Sequence, residues 1–207
     1  FLEVKTPISK ARASYWAGKA SEEIGNKEDL KIWYNRAAAY PATFYGQLAL
    51  KKLNRELFLP SQNTEFDQDE FKKFKENELV RALILLLQVE NRKLSRIFAM
   101  HLVDQANNTK DILMLSKILK DFNQVSFSIF VGKKAIYNNI YIPSLNFPVP
   151  STELMNLINK NTEIPLPVTL AITRQESAFD VKAKSRAGAR GLMQLMPRTA
   201  RITAKKN

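Results

Sequence analysis

Apolar residues recur every three or four positions along most of this chain, which is the spacing of a helix with one buried face. The residues Gly25 and Asn26 follow the first such run, and both tolerate the left-handed backbone angles that end a helix. The buried face of that run is predicted to carry Ala13, Trp16, Ala17, Ala20 and Ile24. The sequence therefore predicts an all-α protein in which residues 1–75 form an α-superhelical array of helix pairs.

Residues 76–150 continue the helical pattern and are predicted to form a helical linker domain. Thr109 is predicted to be the N-cap of one of these helices, since its hydroxyl can accept a bond from a free amide. From Asn138 to Pro150 the helical period is lost and prolines recur, which predicts an extended crossing and a domain boundary. A buried stripe is predicted for Leu94, Ile97, Phe98 and Leu102.

The net charge of +12 favours a polyanionic partner, such as nucleic acid, anionic lipid or an acidic cell-wall polymer. A lysine-rich, solvated surface would give the same charge and stays an alternative. No basic–aromatic signature of RNA binding is present, so nucleic acid is not the expected partner. No apolar run approaches the roughly 20 residues that a membrane span needs, so no transmembrane segment is expected.

Residue types exclude several kinds of chemistry. Cysteine is absent, which removes disulfides, thiolate nucleophiles and zinc sites built on cysteine. His101 is the single histidine, so histidine-rich metal sites are excluded. A Ser-His-Asp triad is not expected either, because no partner residues for His101 are evident in the sequence. His101 lies seven residues after Leu94, so we expect it to be packed or partly buried. No metal and no cofactor is predicted.

Glu176 is the acid with the most informative position. The helix that carries it is predicted to begin at Pro167 and to end just after Glu176, where the helix dipole disfavours a negative charge. An acid that keeps its proton there can donate it to a leaving oxygen. A purely structural role in an ion-pair network is the other interpretation. The inward face of this helix is predicted to carry Val168, Ala171, Ile172 and Gln175.

Two sequence blocks around Glu176 closely resemble the soluble lytic murein transglycosylase family. The first is Arg-Gln-Glu-Ser-Ala-Phe at residues 174–179, and the second is Ser-Arg-Ala-Gly-Ala-Arg-Gly-Leu-Met-Gln-Leu-Met-Pro at residues 185–197. They occur in the order and spacing of that family, with Gln194 eighteen residues after Glu176. The run Tyr-Pro-Ala-Thr-Phe-Tyr-Gly-Gln-Leu-Ala at residues 40–49 and the helices that follow Glu78 also resemble its superhelical regions.

The resemblance implies that residues 151–207 are the start of a lysozyme-like domain that cleaves the β-1,4 bond between N-acetylmuramic acid and N-acetylglucosamine. It implies Glu176 as the catalytic acid and base, with a 1,6-anhydro product and peptidoglycan glycan strands as the partner. It further implies a periplasmic protein, with a signal peptide outside this sequence, and no cofactor. The family positions that contact substrate correspond to Ser177, Ser185, Gln194 and Met196.

Single-acid chemistry suits this segment. Asp180 is the only other acid after Glu176, and it follows Phe179 in a predicted turn, where an aspartate more often bonds backbone amides. Gly188 and Gly191 are predicted to take backbone angles that other residues avoid. The domain of this family continues beyond Gln194 with tyrosine-containing motifs, so weak activity is expected of this polypeptide alone. A non-catalytic helical scaffold or peptidoglycan-binding module is the alternative.

Overall fold

The computed structural model describes residues 3–57, 65–138, 140–149, 152, 155–156 and 164–205. Within these ranges the chain forms helices and, apart from isolated bridges, no β-strand, which confirms the all-α prediction. None of the described helices is both long and apolar enough to cross a lipid bilayer. The α-helices are α1 (Pro7–Glu23), α2 (Lys27–Ala38), α3 (Phe44–Lys52), α4 (Gln68–Glu76), α5 (Glu78–Gln88), α6 (Arg92–Gln105), α7 (Thr109–Asp121), α8 (Val125–Ala135), α9 (Pro143–Asn146), α10 (Leu166–Glu176) and α11 (Pro197–Ala204).

The chain divides into two compact units by its internal contacts. Unit 1 comprises residues 1–63 and 135–142, and unit 2 comprises residues 64–134 and 143–207. This division reflects compactness alone, so the predicted domain limits of 1–75, 76–150 and 151–207 stay predictions. The sequence also predicts a helix from Glu153 to Lys160, and most of its residues lie outside the described ranges.

Unit 1 is built around the ring of Tyr34. This side chain is 1% exposed and packs with Ala37 and Ala49, which are also buried. A Cβ atom at Gly18 would lie 2.7 Å from the Tyr34 ring, so only glycine permits this close approach of α1 and α2. Gly25 has a φ of 73° and follows the end of α1, which confirms the predicted helix stop.

The predicted buried face of α1 is only partly right. Ala13 is buried, but Trp16 is 54% exposed and Ile24 is 78% exposed. The helix instead turns its small residues inward, with Ala11 and Gly18 buried beside Ala13. Small side chains allow the neighbouring helix to approach more closely, and this packing outweighs the larger apolar area that Trp16 would bury.

Unit 2 has a core made by the apolar faces of α5, α6, α7 and α8. The α8 helix comes so close to α9 that a Cβ atom at Gly132 would lie 2.8 Å from the Leu145 Cβ. Glycine is therefore required at the contact. The fully or almost fully buried apolar residues of this core include Val80, Leu83, Leu87, Ala99, Val103, Ile112, Leu115, Leu119, Ile129 and Val131.

The predicted stripe on α6 is also rotated in the structure. Leu94 and Ile97 are 40% and 54% exposed, whereas Ser95 and Ala99 are buried. The prediction for His101 is likewise wrong, because its side chain is exposed and forms a hydrogen bond of 3.2 Å with Gln105 on the same helix. Leu102 is buried as predicted, and Val103 is buried beside it, so the inward face of α6 combines small and larger side chains.

Two local predictions in unit 2 are corrected by hydrogen bonding. Asn108, and not Thr109, is the N-cap of α7: its side-chain oxygen accepts a hydrogen bond of 3.0 Å from the Asp111 amide. Thr109 begins the helix and is buried. The stretch predicted to be an extended crossing contains the short helix α9, which begins at Pro143, where the missing N–H of proline costs nothing.

Candidate functional site

Glu176 is the last residue of α10, as the sequence predicts. Its side chain is exposed, and its carboxyl group has no hydrogen bond or ion pair within the described part of the chain. Neither Arg174 nor Arg186 forms an ion pair with it within the described residues, and the Arg174 side chain instead donates to the main-chain oxygen of Asn146. The carboxyl group is therefore free to exchange a proton with a bound molecule.

The rotation of α10 explains why Glu176 faces solvent. The predicted inward residues Val168 and Ile172 are 46% and 42% exposed. The buried residue is Thr173, whose hydroxyl lies 2.9 Å from the Thr169 carbonyl oxygen and 3.2 Å from the Met193 sulfur. A threonine whose hydroxyl is hydrogen-bonded within its own helix can pack like an apolar side chain. Residue type alone therefore predicts the wrong buried face for α10.

The turn after Glu176 holds two consecutive residues in the left-handed region. Ala178 has a φ of 51° and Phe179 has a φ of 60°, and neither is glycine. This conformation costs roughly 1–2 kcal/mol for each such residue. Strain of this kind persists only where the surrounding contacts fix it, and it concentrates at functional sites. Ala178 is 1% exposed, so packing does fix the turn.

The segment that follows folds back in tight turns. Gly188 and Gly191 have φ values of 93° and 74°, which confirms the prediction of unusual backbone angles. Gln194 also takes a positive φ, of 48°. Isolated β-bridges join Arg190 to Lys184 and to Leu195, and they hold the segment together.

A groove of about 650 Å³ lies beside Glu176 within unit 2. One wall is formed by α6 and α8, and the other by residues 175–184 together with Gln194. Ser177 and Gln194 line the groove with Glu176, whereas Ser185 and Met196 are not among its lining residues. The structure thus brings together three of the five predicted site residues.

The four predicted substrate-binding residues differ in what their side chains can offer. The Ser177 hydroxyl is buried and donates to the Thr173 carbonyl oxygen at 3.1 Å, and the Ser185 hydroxyl accepts from the Ala189 amide at 3.0 Å.

The Gln194 amide nitrogen donates to the carbonyl oxygens of Ala183 and Gly191 at 3.2 and 3.0 Å, which fixes the orientation of the side chain. Met196 is 45% exposed at the start of α11. The roles of all four residues in substrate binding stay predictions.

The groove is strongly basic. Its only acids are Glu176 and Asp180. Asp180 bonds Arg92 at 2.9 Å and accepts the Lys182 amide at 2.9 Å, so it fixes a turn, in line with the expectation for an aspartate at this position. The cations that line the groove are Arg92, Lys93, Arg96, Lys182 and Lys184.

Sequence reasoning missed the wall that α6 and α8 contribute. Arg92 lies 88 residues before its partner Asp180 along the chain. Phe127 and Phe130 on α8 complete this wall, and the guanidinium carbon of Arg96 lies 4.3 Å from the Phe130 ring centroid. No local pattern links these residues to Glu176, because only tertiary packing places them at the groove.

Comparisons with known proteins find lytic transglycosylases that are similar to this chain. The family model described as Transglycosylase SLT domain matches residues 153–207. A Haemophilus influenzae protein named as a soluble lytic murein transglycosylase is 31% identical over 212 residues, which cover 96% of this chain and 35% of that protein. The soluble lytic murein transglycosylase of Escherichia coli K12 is 48% identical over 59 residues, covering 28% of this chain and 9% of that protein.

Solved structures share the fold. An inactive mutant of the lytic transglycosylase Slt from Pseudomonas aeruginosa gives a TM-score of 0.71 at 24% identity. A complex of the 70-kDa soluble lytic transglycosylase with bulgecin A gives 0.68 at 24% identity. Each match covers 95% of this chain and 31% of the solved chain. The resemblance that the sequence indicates is therefore confirmed, for a chain that spans about a third of these relatives.

Proposed function

We propose that this chain, a relative of the soluble lytic murein transglycosylases, supplies the catalytic acid of a lytic transglycosylase acting on peptidoglycan glycan strands. The bond cleaved is the β-1,4 bond from N-acetylmuramic acid to N-acetylglucosamine. Glu176 is the acid and then the base. The protein acts in the periplasm, where this polymer lies.

The observation that carries the proposal is the free carboxyl group of Glu176 at the edge of a groove. Proton transfer by a side chain requires that the group can reach the reacting oxygen and is not held in a fixed ion pair. Glu176 is exposed and has no partner in the described part of the chain. The strained pair Ala178 and Phe179 begins two residues after it.

Among the described residues that line the groove, Glu176 is the one acid without an ion pair, and this supports the choice of chemistry. Glycosidases that use water employ two carboxyl groups, but Asp180 is held by Arg92 and by the Lys182 amide. Glu176 instead gives its proton to the glycosidic oxygen as the bond from C1 to that oxygen breaks. The C6 hydroxyl of the same sugar attacks C1 and returns its proton to the Glu176 carboxylate. The product is a 1,6-anhydro sugar, and no water is consumed.

The charge of the groove supports a polyanionic substrate. Peptidoglycan strands carry peptides with free carboxylates, and a cleft lined by cations concentrates such a polymer near its surface. Gln194 and Ser177 line the groove beside Glu176, and their contacts with the sugar are proposed from their motif positions. Roles for Ser185 and Met196 in substrate binding are proposed from their motif positions.

The test compares Glu176→Gln with Glu76→Gln. Glu76 is a matched control because it also ends a helix, is exposed and has no hydrogen bond or ion pair within the described residues. Both changes are made in this chain and in a chimera where it replaces the segment it matches in the Haemophilus influenzae relative. Purified cell-wall sacculi are the substrate, and mass spectrometry identifies the products.

We expect 1,6-anhydro products whose rate of release falls about 10²- to 10⁴-fold in Glu176→Gln, the range of general acid–base catalysis. Glu76→Gln is expected to match the parent. Reducing-end products would contradict the mechanism, and equal rates in both variants would contradict the assignment of Glu176. Binding to sacculi without any cleavage would favour the peptidoglycan-binding module instead.

A further inference from the structure

Two half-buried cations meet at the last turn of α10 without any acid between them. Lys133 on α8 donates a hydrogen bond of 2.8 Å from its ammonium group to the carbonyl oxygen of Arg174. The guanidinium carbon of Arg174 lies 4.9 Å from the Phe147 ring centroid. Neither cation has a carboxylate within 4 Å in the described part of the chain. Ion pairing therefore does not account for this arrangement.

This arrangement is unfavourable for the charges themselves. Burial lowers the pKa of Arg174, and burial together with the nearby Arg174 charge lowers the pKa of Lys133. Like charges brought out of water destabilise a fold unless another gain offsets them. The offsetting stabilisation comes from the hydrogen bonds that the two side chains donate to main-chain oxygens.

The oxygen that Lys133 bonds also accepts hydrogen bonds from the start of the strained turn. The carbonyl of Arg174 also accepts the amide of Ser177, and it accepts the amide of Ala178 at 3.2 Å. Ala178 is the first of the two left-handed residues after Glu176. The ammonium group thus stabilises a helix end, where cations interact favourably with the exposed carbonyls.

The contacts close into a ring that ties α10 to α8 and α9. The Arg174 Nε donates to the main-chain oxygen of Asn146. The Asn146 side chain, 2% exposed, donates to the Gly132 carbonyl oxygen at 2.7 Å. Gly132 directly precedes Lys133 in α8. Each link therefore limits the movement of the next.

We propose that Lys133 and Arg174 are positioning residues for Glu176. This proposal rests on the acid–base role proposed above. They hold the final turn of α10 so that the Glu176 carboxyl group meets the glycosidic oxygen. Displacing a reacting group by about 1 Å can lower a rate by about 10²-fold. The pair acts through the backbone and does not contact the reacting atoms.

The test uses Lys133→Met, with Lys134→Met as the matched control. Lys134 is the next residue on α8 and also donates to a carbonyl oxygen of another helix, that of Met100 at 2.9 Å. It does not bond α10. Lys133→Met is expected to fold, because it removes a half-buried charge. Hydrogen exchange of the Ser177 and Ala178 amides is measured in this chain, and kcat and KM are measured in the chimera described above.

In Lys133→Met we expect these two amides to exchange at least about 10-fold faster. The kcat should fall about 10- to 100-fold with KM within about twofold of the parent. Lys133→Arg should restore most of kcat, and Lys134→Met should change neither measurement.

Unchanged exchange in Lys133→Met would overturn the proposal, and so would faster exchange with an unaltered kcat. An inactive parent chimera would contradict the proposed function. In that case the exchange measurement still decides whether Lys133 holds the turn.

Discussion

Glu22 in unit 1 gives the chain a pH-dependent contribution to its stability. One carboxylate oxygen accepts a hydrogen bond of 2.8 Å from the Lys52 ammonium group. The other accepts bonds of 2.9 Å from Lys19 and from the Tyr34 hydroxyl. These donors, Lys52 foremost, lower the pKa of Glu22 from 4.5 to about 2. Glu22 thereby joins α1 to α2 and α3.

The size of this contribution follows from the fall in pKa. A difference of that size corresponds to roughly 3 kcal/mol for a group fully shielded from solvent. The Glu22 side chain is 33% exposed, so solvent screening reduces the value to about 1 kcal/mol. Because the pKa is lowered in the folded state, the stability is present above pH 4.5. It is lost as the pH falls towards about 2.

The variant Glu22→Gln tests this magnitude, because the amide keeps the shape of the carboxylate without its charge. We expect it to be about 1 kcal/mol less stable than the parent at pH 6, with a difference that vanishes near pH 2. Urea unfolding is followed by tryptophan fluorescence, since both tryptophans of the chain, Trp16 and Trp33, lie in unit 1.

The control variant Glu23→Gln removes a neighbouring acid that is 77% exposed and lies 3.6 Å from the Lys19 ammonium group. Its stability should follow that of the parent within a few tenths of a kcal/mol at every pH. A loss in Glu22→Gln that does not depend on pH would refute the electrostatic explanation. An equal effect in Glu23→Gln would refute the importance of the three donors.

Two further predictions concern glycine and the backbone. Gly132→Ala places a Cβ atom 2.8 Å from the Leu145 Cβ. It should lower the free energy of unfolding by about 1–2 kcal/mol, because the cost of overpacking exceeds the gain in helix propensity. A Tm at or above that of the parent would contradict this prediction. Glu90→Gly should raise stability by about 1 kcal/mol, because Glu90 is exposed with a φ of 54°. Glu78→Gly, within the first turn of α5, should instead lower it. Urea unfolding followed by circular dichroism measures all three.

The sequence alone determined the local features of the protein. The apolar period predicts the helices because each helix depends on neighbours three and four residues away. Gly25 marks the end of α1, and Gly188 and Gly191 mark tight turns, since their backbone angles are strained for other residues. The position of Glu176 at a helix end follows from the same local signals. The two motif blocks supply the resemblance to a family.

The tertiary structure decided which helix faces are buried and what surrounds Glu176. Trp16 and Ile97 belong to predicted apolar stripes, yet both are exposed, because tertiary packing buries a different face of α1 and of α6. The groove wall with Arg96 and the contact of Lys133 with α10 join residues that are far apart in sequence. Such contacts depend on the whole fold at once, and no local pattern encodes them. The sequence therefore predicts the acid at Glu176, and the fold supplies the groove and the two cations that we propose position it.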